Sequence, residues 1–395
     1  TMKRTIVYIR PLAKALTLSV AALTLSSAAF ARRMVAADAV EFRAVARYLR
    51  AGDTVLLKSG LWRDALLSFS VNATADAPVT VMAEQAGETV FTGASKLEFS
   101  GENIIVEGLW FKDIELSSGE VIAFRTRGGK AASYCTLRNC AVSAKGLPQS
   151  QTDYKWVSLY GHHNTVENCS LVDKANMGCM LVVWFEEGVV PCHKIVRNYF
   201  SRPRSLLDDK GESMNGQEII RIGTSTYSMQ DGCCTVEGNH FYRCNGETET
   251  ISNKSCRNVY KGNLFTECRG TLTLRHGNGC TVEGNAFFGG GAESTGGIRL
   301  IGEDHRVFNN YLQDLTGRGF YSAISLVQGE PDTAINGYFA AKNCSVVNNT
   351  VYNCFSGLNI NHTGKRNQVR IENNTIANNL VVNVTDDKKA ESDKV

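Results

Sequence analysis

A short phrase recurs through this chain from about residue 100 onward: an apolar strand-like run, then Asn, one variable residue, and an apolar or aromatic residue. It is plainest in Cys234-Thr-Val-Glu-Gly-Asn239, Cys280-Thr-Val-Glu-Gly-Asn285 and Val369-Arg-Ile-Glu-Asn-Asn374. Successive gaps between the Asn positions are 29, 30, 41, 24, 22, 25, 39 and 25 residues. Such a repeat is typical of stacked supersecondary units. The Asn positions are Asn139, Asn168, Asn198, Asn239, Asn263, Asn285, Asn310, Asn349 and Asn374.

The length of the repeat predicts the kind of stack. A period of 22 to 25 residues is about one coil of a parallel β-helix, and the longer gaps indicate coils with an inserted loop. Recurrent Asn at one bend predicts an internal ladder of side-chain amides that satisfies buried turn backbone. A leucine-rich repeat has a similar period, but its LxxLxL spacing is absent. We therefore expect an all-β chain, a single right-handed parallel β-helix with a short N-terminal capping helix.

Composition agrees with many short strands joined by tight bends. Gly is abundant at 36 residues and Pro is scarce at 6. The 13 Cys are odd in number, form no CxxC pair and mostly lie in apolar runs, so we interpret them as buried small hydrophobic residues. Cys233 and Cys234 are adjacent in sequence, so they cannot both face one interior.

The first 31 residues have the pattern of a targeting segment. Basic residues precede an apolar run from Leu16 to Leu25, and Ala29-Phe30-Ala31 follows as a small-x-small cleavage site. This pattern predicts a signal peptide and therefore an exported bacterial protein, either periplasmic or secreted. No later segment is long and apolar enough to predict a membrane span.

The remaining boundaries follow from the repeat. Residues 32–50 are predicted to be a linker and a capping helix, because apolar residues from Val40 to Leu49 have helical spacing. A cap of this kind covers the open first coil, which is otherwise an aggregation-prone edge. Residues 51–384 are predicted to form the β-helix, and residues 385–395 a charged, frayed tail.

The densest polar segment runs from Asn245 to Lys254. Glu247 and Glu249 are two residues apart, so on a strand their carboxylates point to one face. Two like charges placed in this way repel each other unless a cation lies between them. The alternative is an ordinary solvated strand face.

Three cations follow at coil spacing. Lys254, Arg275 and Arg299 are separated by 21 and 24 residues, so we expect them to stack on one face beside the two glutamates. Exposed cations can also splay into water without any function. The net charge of +3 does not decide the matter, because a basic site on this chain has to be local.

An acidic polysaccharide suits this group of residues chemically. Removal of the C5 proton of a uronate places negative charge on its carboxylate, so the reaction needs a cation there, a base near C5 and a proton donor near the leaving O4. A lysine acts as the base only after it releases its own proton, which neighbouring positive charge favours.

Three motifs resemble polysaccharide lyase family 6, which contains alginate lyases and chondroitinase B. They are Asn245-Gly-Glu-Thr-Glu-Thr-Ile-Ser-Asn-Lys-Ser255, Leu272-Thr-Leu-Arg-His-Gly277 and Gly297-Ile-Arg-Leu-Ile-Gly-Glu-Asp-His305. The resemblance extends from about Gly52 to Asn374. It implies a carbon–oxygen lyase that cleaves alginate by β-elimination, alginate being favoured because most of the family uses it.

The resemblance also implies roles for single residues. Lys254 is the expected base and Arg275 the expected acid, although Arg275 can instead stabilise the leaving oxygen while water donates the proton. Calcium is the expected cofactor, and some family members work without it. Its expected ligands are Asn215, Glu247 and Glu249, and the expected substrate-binding residues are Arg299 and His276.

Aromatic residues of the inserted coils are further candidates for sugar binding. Tyr154 and Trp184 are expected to line the cleft, since aromatic faces stack on pyranose rings, although Trp184 in an apolar run is equally typical of a core. His162 and His163 are interpreted as solvent-facing and His305 as a turn residue.

Two other functions stay open at this point. One is a dermatan sulfate lyase resembling chondroitinase B, which needs further basic residues for the sulfate. The other is a non-catalytic β-helix that binds polysaccharide, because a β-helix alone does not define an activity. We expect an acidic polysaccharide as the partner, no nucleic acid, no membrane span and a monomer.

Overall fold

The computed structural model describes residues 31–364 and 366–385. Within them the strands form three parallel sheets, which the chain visits in turn, once per coil. We name these sheets A, B and C in the order in which each coil enters them. The architecture is a single parallel β-helix with almost no helical content, which confirms the predicted fold class.

Sheet A has 13 strands and sheet B has 12. The strands of sheet A are Arg33–Ala36, Thr54–Leu57, Val79–Ala83, Ile104–Glu107, Thr136–Arg138, Thr165–Glu167, Lys194–Val196, Thr235–Glu237, Val259–Lys261, Thr281–Glu283, Arg306–Phe308, Ser345–Val347 and Thr375–Ala377. The strands of sheet B are Gly60–Arg63, Thr89–Gly93, Trp110–Ile114, Ala141–Ser143, Ser170–Val172, Tyr199–Arg202, His240–Cys244, Leu264–Thr266, Ala286–Phe288, Tyr311–Gln313, Thr350–Tyr352 and Leu380–Val382.

Sheet C has 13 strands, which are generally longer than those of the other two sheets. They are Leu66–Asn72, Lys96–Glu102, Gly119–Ala123, Ala132–Ser133, Ser150–Leu159, Asn176–Met177, Leu181–Val183, Ile220–Ile222, Glu249–Lys254, Thr271–His276, Ile298–Leu300, Ile324–Val327 and Leu358–His362. A short 3-10 turn at Ser225–Tyr227 lies in a loop that leaves this sheet, and another at Gly319–Tyr321 lies in a loop that enters it from sheet B.

The short strands place one apolar side chain each in the interior. In Thr165–Glu167 and Thr235–Glu237 only the middle valine is buried, as the alternation of side chains along a strand requires. Equivalent residues stack from coil to coil. In sheet B, Phe241 lies against Phe265, and Phe265 against Phe287, with ring centroids 4.6 and 4.3 Å apart. The core is therefore a set of parallel side-chain columns.

An asparagine ladder, which we call the A–B ladder, fills the bend between sheets A and B. At Asn263, the side-chain oxygen accepts hydrogen bonds from the backbone and side-chain N–H groups of Asn239, both at 3.0 Å. Its side-chain nitrogen donates to Val236 O and to Asn285 Oδ1, both at 2.9 Å. The rungs are Asn198, Asn239, Asn263, Asn285, Asn310, Asn349 and Asn379.

Three predicted rungs were wrong. Asn139 and Asn168 adopt left-handed backbone, with φ of 54° and 53°, and Cys140 and Cys169 occupy the ladder position one residue later. Asn374 belongs to a different bend, where its side chain accepts from the Cys344 N–H at 2.9 Å. Asn suits both a left-handed turn and a ladder rung, so the phrase alone does not separate the two.

A second series of rungs, the C–A ladder, lies at the bend between sheets C and A. Here buried histidines alternate with asparagines as acceptors of backbone N–H groups: Asn164 N donates to His193 Nδ1 at 3.0 Å, and Cys280 N to His305 Nδ1 at 3.2 Å. Burial lowers the pKa of His193 to about 3 and that of His305 to about 4, so both rings are neutral. His305 is thus a buried rung as well as a turn residue.

A helix at Ala39–Ala46 covers the first coil, which confirms the predicted cap, although it ends before Arg50. Asp38 caps its N-terminus by accepting from the Val40 and Glu41 N–H groups. Phe42 is fully buried against Phe69, with ring centroids 5.6 Å apart. Val40, which we expected on the apolar face, is instead 70% exposed because the helix contacts the coil mainly through Phe42.

The cysteines are free thiols, and most of them are buried, which confirms their interpretation as small core residues. Cys234 points inward and Cys233 is exposed. The predicted signal peptide, apart from residue 31, and residues 386–395 of the predicted tail lie outside the described residues. In the part of the chain that is described, no helix has the length and apolarity to cross a membrane.

Candidate active site on sheet C

A polar pocket of about 410 Å³ opens on the outer face of sheet C. Seven of the nine predicted site residues line it, together with groups from two inserted loops. We call it the sheet C pocket. Its lining residues are Ser213, Asn215, Ser225, Glu247, Thr248, Glu249, Lys254, Arg275, His276, Arg299, Asn336 and Tyr338.

The strand register of the three cations in the pocket differs from the predicted one. Lys254 is in register with His276 and not with Arg275, because the ladder between these two strands shifts at Asn253/Lys254. Arg299 is in register with Thr273. The expected direct stack of Lys254, Arg275 and Arg299 is therefore wrong. All three residues nevertheless line the same pocket.

Glu247 is a buried carboxyl group in the pocket whose pKa is strongly raised. It is 8% exposed, and its carboxylate accepts a hydrogen bond from Gly216 N at 3.1 Å. Burial, followed by the charges of Glu218 and Glu249, raises its pKa to about 9. Crowded acidic oxygens beside the exposed Asn215 amide are a donor set that suits a hard cation such as calcium. The residues present therefore fit the expected ion.

Asn215 lies on an inserted loop that is fixed at its base by a buried polar network. Gln217 donates to the carbonyls of Leu206 and Met214 at 2.9 and 2.8 Å and accepts from the Leu206 N–H at 2.8 Å, so it joins both ends of the loop. The fully buried Arg202 in turn donates to Gln217 Oε1 at 3.0 Å. This network holds Asn215 and Gly216 beside Glu247.

Arg275 connects the strand to a second inserted loop. Its guanidinium donates to the carbonyl oxygens of Gly337 and Asn336 at 2.9 and 3.1 Å and lies 3.8 Å from Glu249. Burial lowers the pKa of Arg275 from its ordinary value. The ring of Tyr338 lies 4.1 Å from this guanidinium, and the Tyr338 hydroxyl accepts from Arg299 Nη2 at 3.0 Å.

His276 is a neutral ring in the pocket wall. Burial, together with the charges of Arg275 and Lys254, lowers its pKa to about 3. Because it carries no charge near neutral pH, it contributes hydrogen bonding and shape rather than another positive charge.

The two remaining predicted residues lie elsewhere. Tyr154 is 3% exposed, and its hydroxyl donates to Ile114 O at 2.5 Å, so the expectation that it binds substrate in the cleft was wrong. Its ring lies over the buried Lys174 ammonium, 4.6 Å from the ring centroid. Trp184 is half-buried outside the sheet C pocket, where its ring lies 5.2 Å from the Arg221 guanidinium.

Sequence reasoning did not identify Tyr338, Asn336 or Ser213. These residues belong to the coils with gaps of 41 and 39 residues, between Asn198 and Asn239 and between Asn310 and Asn349. The two long gaps were the sequence signal that could have identified these residues, because the loops inserted there both contribute to the sheet C pocket.

Fold and site together define a parallel β-helix protein with a charged pocket on one sheet. The family model for chondroitinase B matches residues 36–394. A polysaccharide lyase family 6 enzyme from Pseudopedobacter saltans is 31% identical, with 88% of this chain and 83% of that chain covered and a TM-score of 0.76. This chain belongs to polysaccharide lyase family 6.

Two further structures are similar. AlyGC, an alginate lyase of the same family, is 36% identical, with a TM-score of 0.81. The match covers 87% of this chain and 47% of AlyGC, so this chain spans about half of that protein's length. A mannuronic acid specific family 6 lyase from human gut microbiota is 28% identical, with 89% and 82% covered and a TM-score of 0.76. A search of curated proteins finds no match.

Proposed function

We propose that this protein is an alginate lyase that cleaves its substrate by β-elimination and leaves an unsaturated uronate end. The observation that carries the proposal is the convergence of Lys254, Arg275 and Arg299 with buried Glu247 and half-buried Glu249 in one open pocket. Neutral sugars need no such concentration of cations, whereas a uronate carboxylate does. The similarity to AlyGC and to the mannuronic acid specific lyase supports alginate as the substrate.

Lys254 takes the C5 proton in this proposal. It is half-buried on the pocket wall, and it differs from the two arginines because an amine can both accept and release a proton. Arg299 binds the substrate carboxylate, and neutral His276 orients the ring beside it. Arg275 holds the loop that carries Asn336 and Gly337 and faces the leaving oxygen.

We also propose that Asn215, Glu247 and Glu249 hold calcium. When bound there, calcium would neutralise the substrate carboxylate and make the C5 proton easier to remove. On the protein side, the Gln217 network holds the loop of Asn215, and the neighbouring Gly216 N–H donates to Glu247.

Dermatan sulfate is the second candidate substrate, because the matching family model is that of chondroitinase B. A sulfated substrate requires basic groups beyond the sheet C pocket. Arg221, next to Trp184 on the same face of sheet C, is one such group. The comparison with solved structures favours alginate over this alternative.

The deciding experiment exposes the purified protein separately to polymannuronate, polyguluronate and dermatan sulfate and follows the ultraviolet absorbance of the unsaturated uronate. We expect absorbance to rise with an alginate block, and we expect no rise with the Lys254→Ala variant. Lys261→Ala is the matched control, since Lys261 lies on sheet A in an ion pair with Glu237. Binding of alginate without any absorbance change would instead favour the non-catalytic β-helix.

Export and oligomeric state form a separate proposal. We propose that the protein is exported with cleavage after Ala31 and acts as a monomer. Sequencing the N-terminus of protein purified from its host tests the first part, and a mature chain that retained Met2 would contradict it. Light scattering of the purified protein tests the second part.

A further inference from the structure

Two of the 13 cysteines differ from the others in their exposure. The other eleven thiols are buried, as small core residues are, whereas Cys192 is half-buried and Cys233 is exposed. Neither of the two lines the sheet C pocket. Packing in the core and chemistry in that pocket therefore do not account for Cys192 and Cys233.

Cys192 and Cys233 occupy the same position on neighbouring coils. Lys194 is in register with Thr235, so the residues two places before them are aligned as well, and Cys192 N donates to Gly232 O at 2.9 Å. Residues aligned in this way on parallel strands lie about 4.8 Å apart. A disulfide joins residues whose Cα atoms are about 4.4 to 6.8 Å apart, so the backbone spacing here already suits one.

The backbone also directs the two side chains to the same side. Cys192 and Cys233 both have left-handed backbone, with φ of 47° and 48°, which is uncommon for a residue other than Gly, Asn or Asp. The residue after each of them, His193 or Cys234, is buried at a rung position of the C–A ladder. The two thiols therefore leave the bend together on its outer side, where an external reagent can reach them.

The chemistry of the pair favours a disulfide over other uses of two thiols. Burial, followed by the neighbouring Cys192 thiol, raises the pKa of the Cys233 thiol, so Cys233 is not an activated nucleophile. In the described part of the chain, no group of three or more His, Cys, Asp or Glu side chains is placed to hold a metal ion. Two adjacent, accessible thiols can nevertheless exchange with an external disulfide.

A bond between these two cysteines would close the coil that carries the Asn215 loop. Cys192 and Cys233 are 41 residues apart, and the inserted loop with Ser213, Asn215 and Gln217 lies between them. A coil of this length loses more chain entropy on folding than a compact one. A cross-link between its ends removes part of that entropy from the unfolded chain and so stabilises the folded state.

We propose that Cys192 and Cys233 form a disulfide when the folded protein meets a disulfide-containing oxidant. The thiolate of Cys233, the more exposed residue, attacks the oxidant and releases its first thiol. The thiolate of Cys192 then attacks the Cys233 sulfur, which forms the S–S bond and releases the second thiol. The protein loses two electrons and two protons, and the oxidant is reduced to two thiols. This inference does not depend on the lyase function.

Counting free thiols tests the proposal on the wild-type protein. We expect 13 thiols in the reduced protein and two fewer after the folded protein is incubated with excess oxidised glutathione and then unfolded. Peptide mapping without reduction should recover a link between the peptides of Cys192 and Cys233. An unchanged thiol count, a stable glutathione adduct at Cys233, or a link between any other pair would overturn the proposal.

Single substitutions separate the internal bond from other oxidation. Neither Cys192→Ser nor Cys233→Ser should acquire an internal cross-link. Cys256→Ala, which removes a buried thiol on the next coil, should still lose two thiols to the oxidant. A covalent dimer of the wild type through Cys233, seen on a non-reducing gel, would show that the exposed thiol pairs between two copies and would also overturn the proposal.

Thermal unfolding measures what the bond does. For a closed loop of 41 residues in a chain of this size, we expect oxidation to raise the melting temperature by roughly 5 °C. The oxidant should leave the melting temperature of a variant carrying both Cys192→Ser and Cys233→Ser unchanged. Equal melting temperatures of the oxidised and reduced wild type would contradict a stabilising closure of this coil.

Discussion

The A–B ladder and the sheet C pocket are both stacks of polar side chains, but they are satisfied in opposite ways. In the ladder, Asn263 accepts from one coil and donates to the next, so every group has a partner inside the protein. In the pocket, Glu247 is buried beside Glu218 and Glu249, and its pKa is raised for that reason. Neutral amides can stack because each is both donor and acceptor, whereas stacked like charges need a ligand of opposite charge.

If this contrast is correct, substitutions in the pocket should affect activity and those in the ladder should affect stability. The largest expected effect is at Lys254. Lys254→Ala should lower turnover by about 10² to 10⁴, the range for loss of a general base, and leave the unfolding midpoint almost unchanged because the side chain lies on the outer face. Steady-state rates and thermal unfolding measure the two effects.

Lys254→Arg sharpens the same prediction. It restores the positive charge without a transferable proton, so we expect no rescue of turnover. If either variant kept more than about a tenth of the wild-type rate, the base would lie elsewhere, and His276 would be tested next.

The next largest effect is expected in the A–B ladder. Asn263→Ala leaves the buried Asn239 N–H without its acceptor, which costs about 1 to 3 kcal/mol, and it also removes the side-chain bonds to Val236 O and Asn285 Oδ1. We expect a loss of about 2 to 4 kcal/mol in the free energy of unfolding, measured with denaturant, and near-normal KM in the folded enzyme. Asn343→Gly is the control, since Asn343 is exposed with left-handed backbone at φ 53°.

Calcium should stabilise the protein through the pocket. At a free concentration one hundred times its dissociation constant, a bound ion adds about 2.7 kcal/mol to the free energy of unfolding. We expect calcium to raise the melting temperature of the wild type and to have little effect on Glu247→Gln. Full activity in excess chelator, with no metal found by elemental analysis, would remove the ion from the site.

A smaller effect is expected from pH in the C–A ladder. His305 has a folded-state pKa of about 4, below its unfolded value of 6.5, so its contribution to stability is present above pH 6.5 and is lost as pH falls toward 4. Asn occupies equivalent rungs at Asn164, Asn258 and Asn374. We therefore expect His305→Asn to be more stable than the wild type at pH 4 by about 1 to 2 kcal/mol, measured by denaturant unfolding. Equal acid sensitivity of the two proteins would argue against a neutral His305 rung.

The sequence predicted the A–B ladder better than it predicted the sheet C pocket. The coil length and the existence of an asparagine ladder follow from the Asn spacing, because each coil repeats one pattern of burial. The rung position did not follow at Asn139 and Asn168, because a left-handed turn and a rung both favour Asn. Lys254, Arg275 and Arg299 were assigned to one face, yet the register shift that takes Lys254 out of register with Arg275 has no sequence signature.

The remaining errors in the site prediction come from tertiary contacts that the sequence pattern does not reveal. Tyr338 lies on a loop whose return to sheet C depends on Arg275, a contact 61 to 62 residues away along the chain. Tyr154 was assigned to the cleft by residue type alone, and its burial beneath Lys174 could not be inferred from the apolar pattern around it.

The two long coils have a consequence for how such pockets diversify. Closing a loop becomes less favourable only with the logarithm of its length, so a doubling costs about 0.6 kcal/mol of chain entropy. Extending a coil from a 22-residue spacing to one of 41 is close to such a doubling. This entropic cost is smaller than the free-energy cost of losing a single buried hydrogen-bond partner. A β-helix can therefore exchange the walls of its cleft by insertion between rungs while the scaffold beneath keeps its stability.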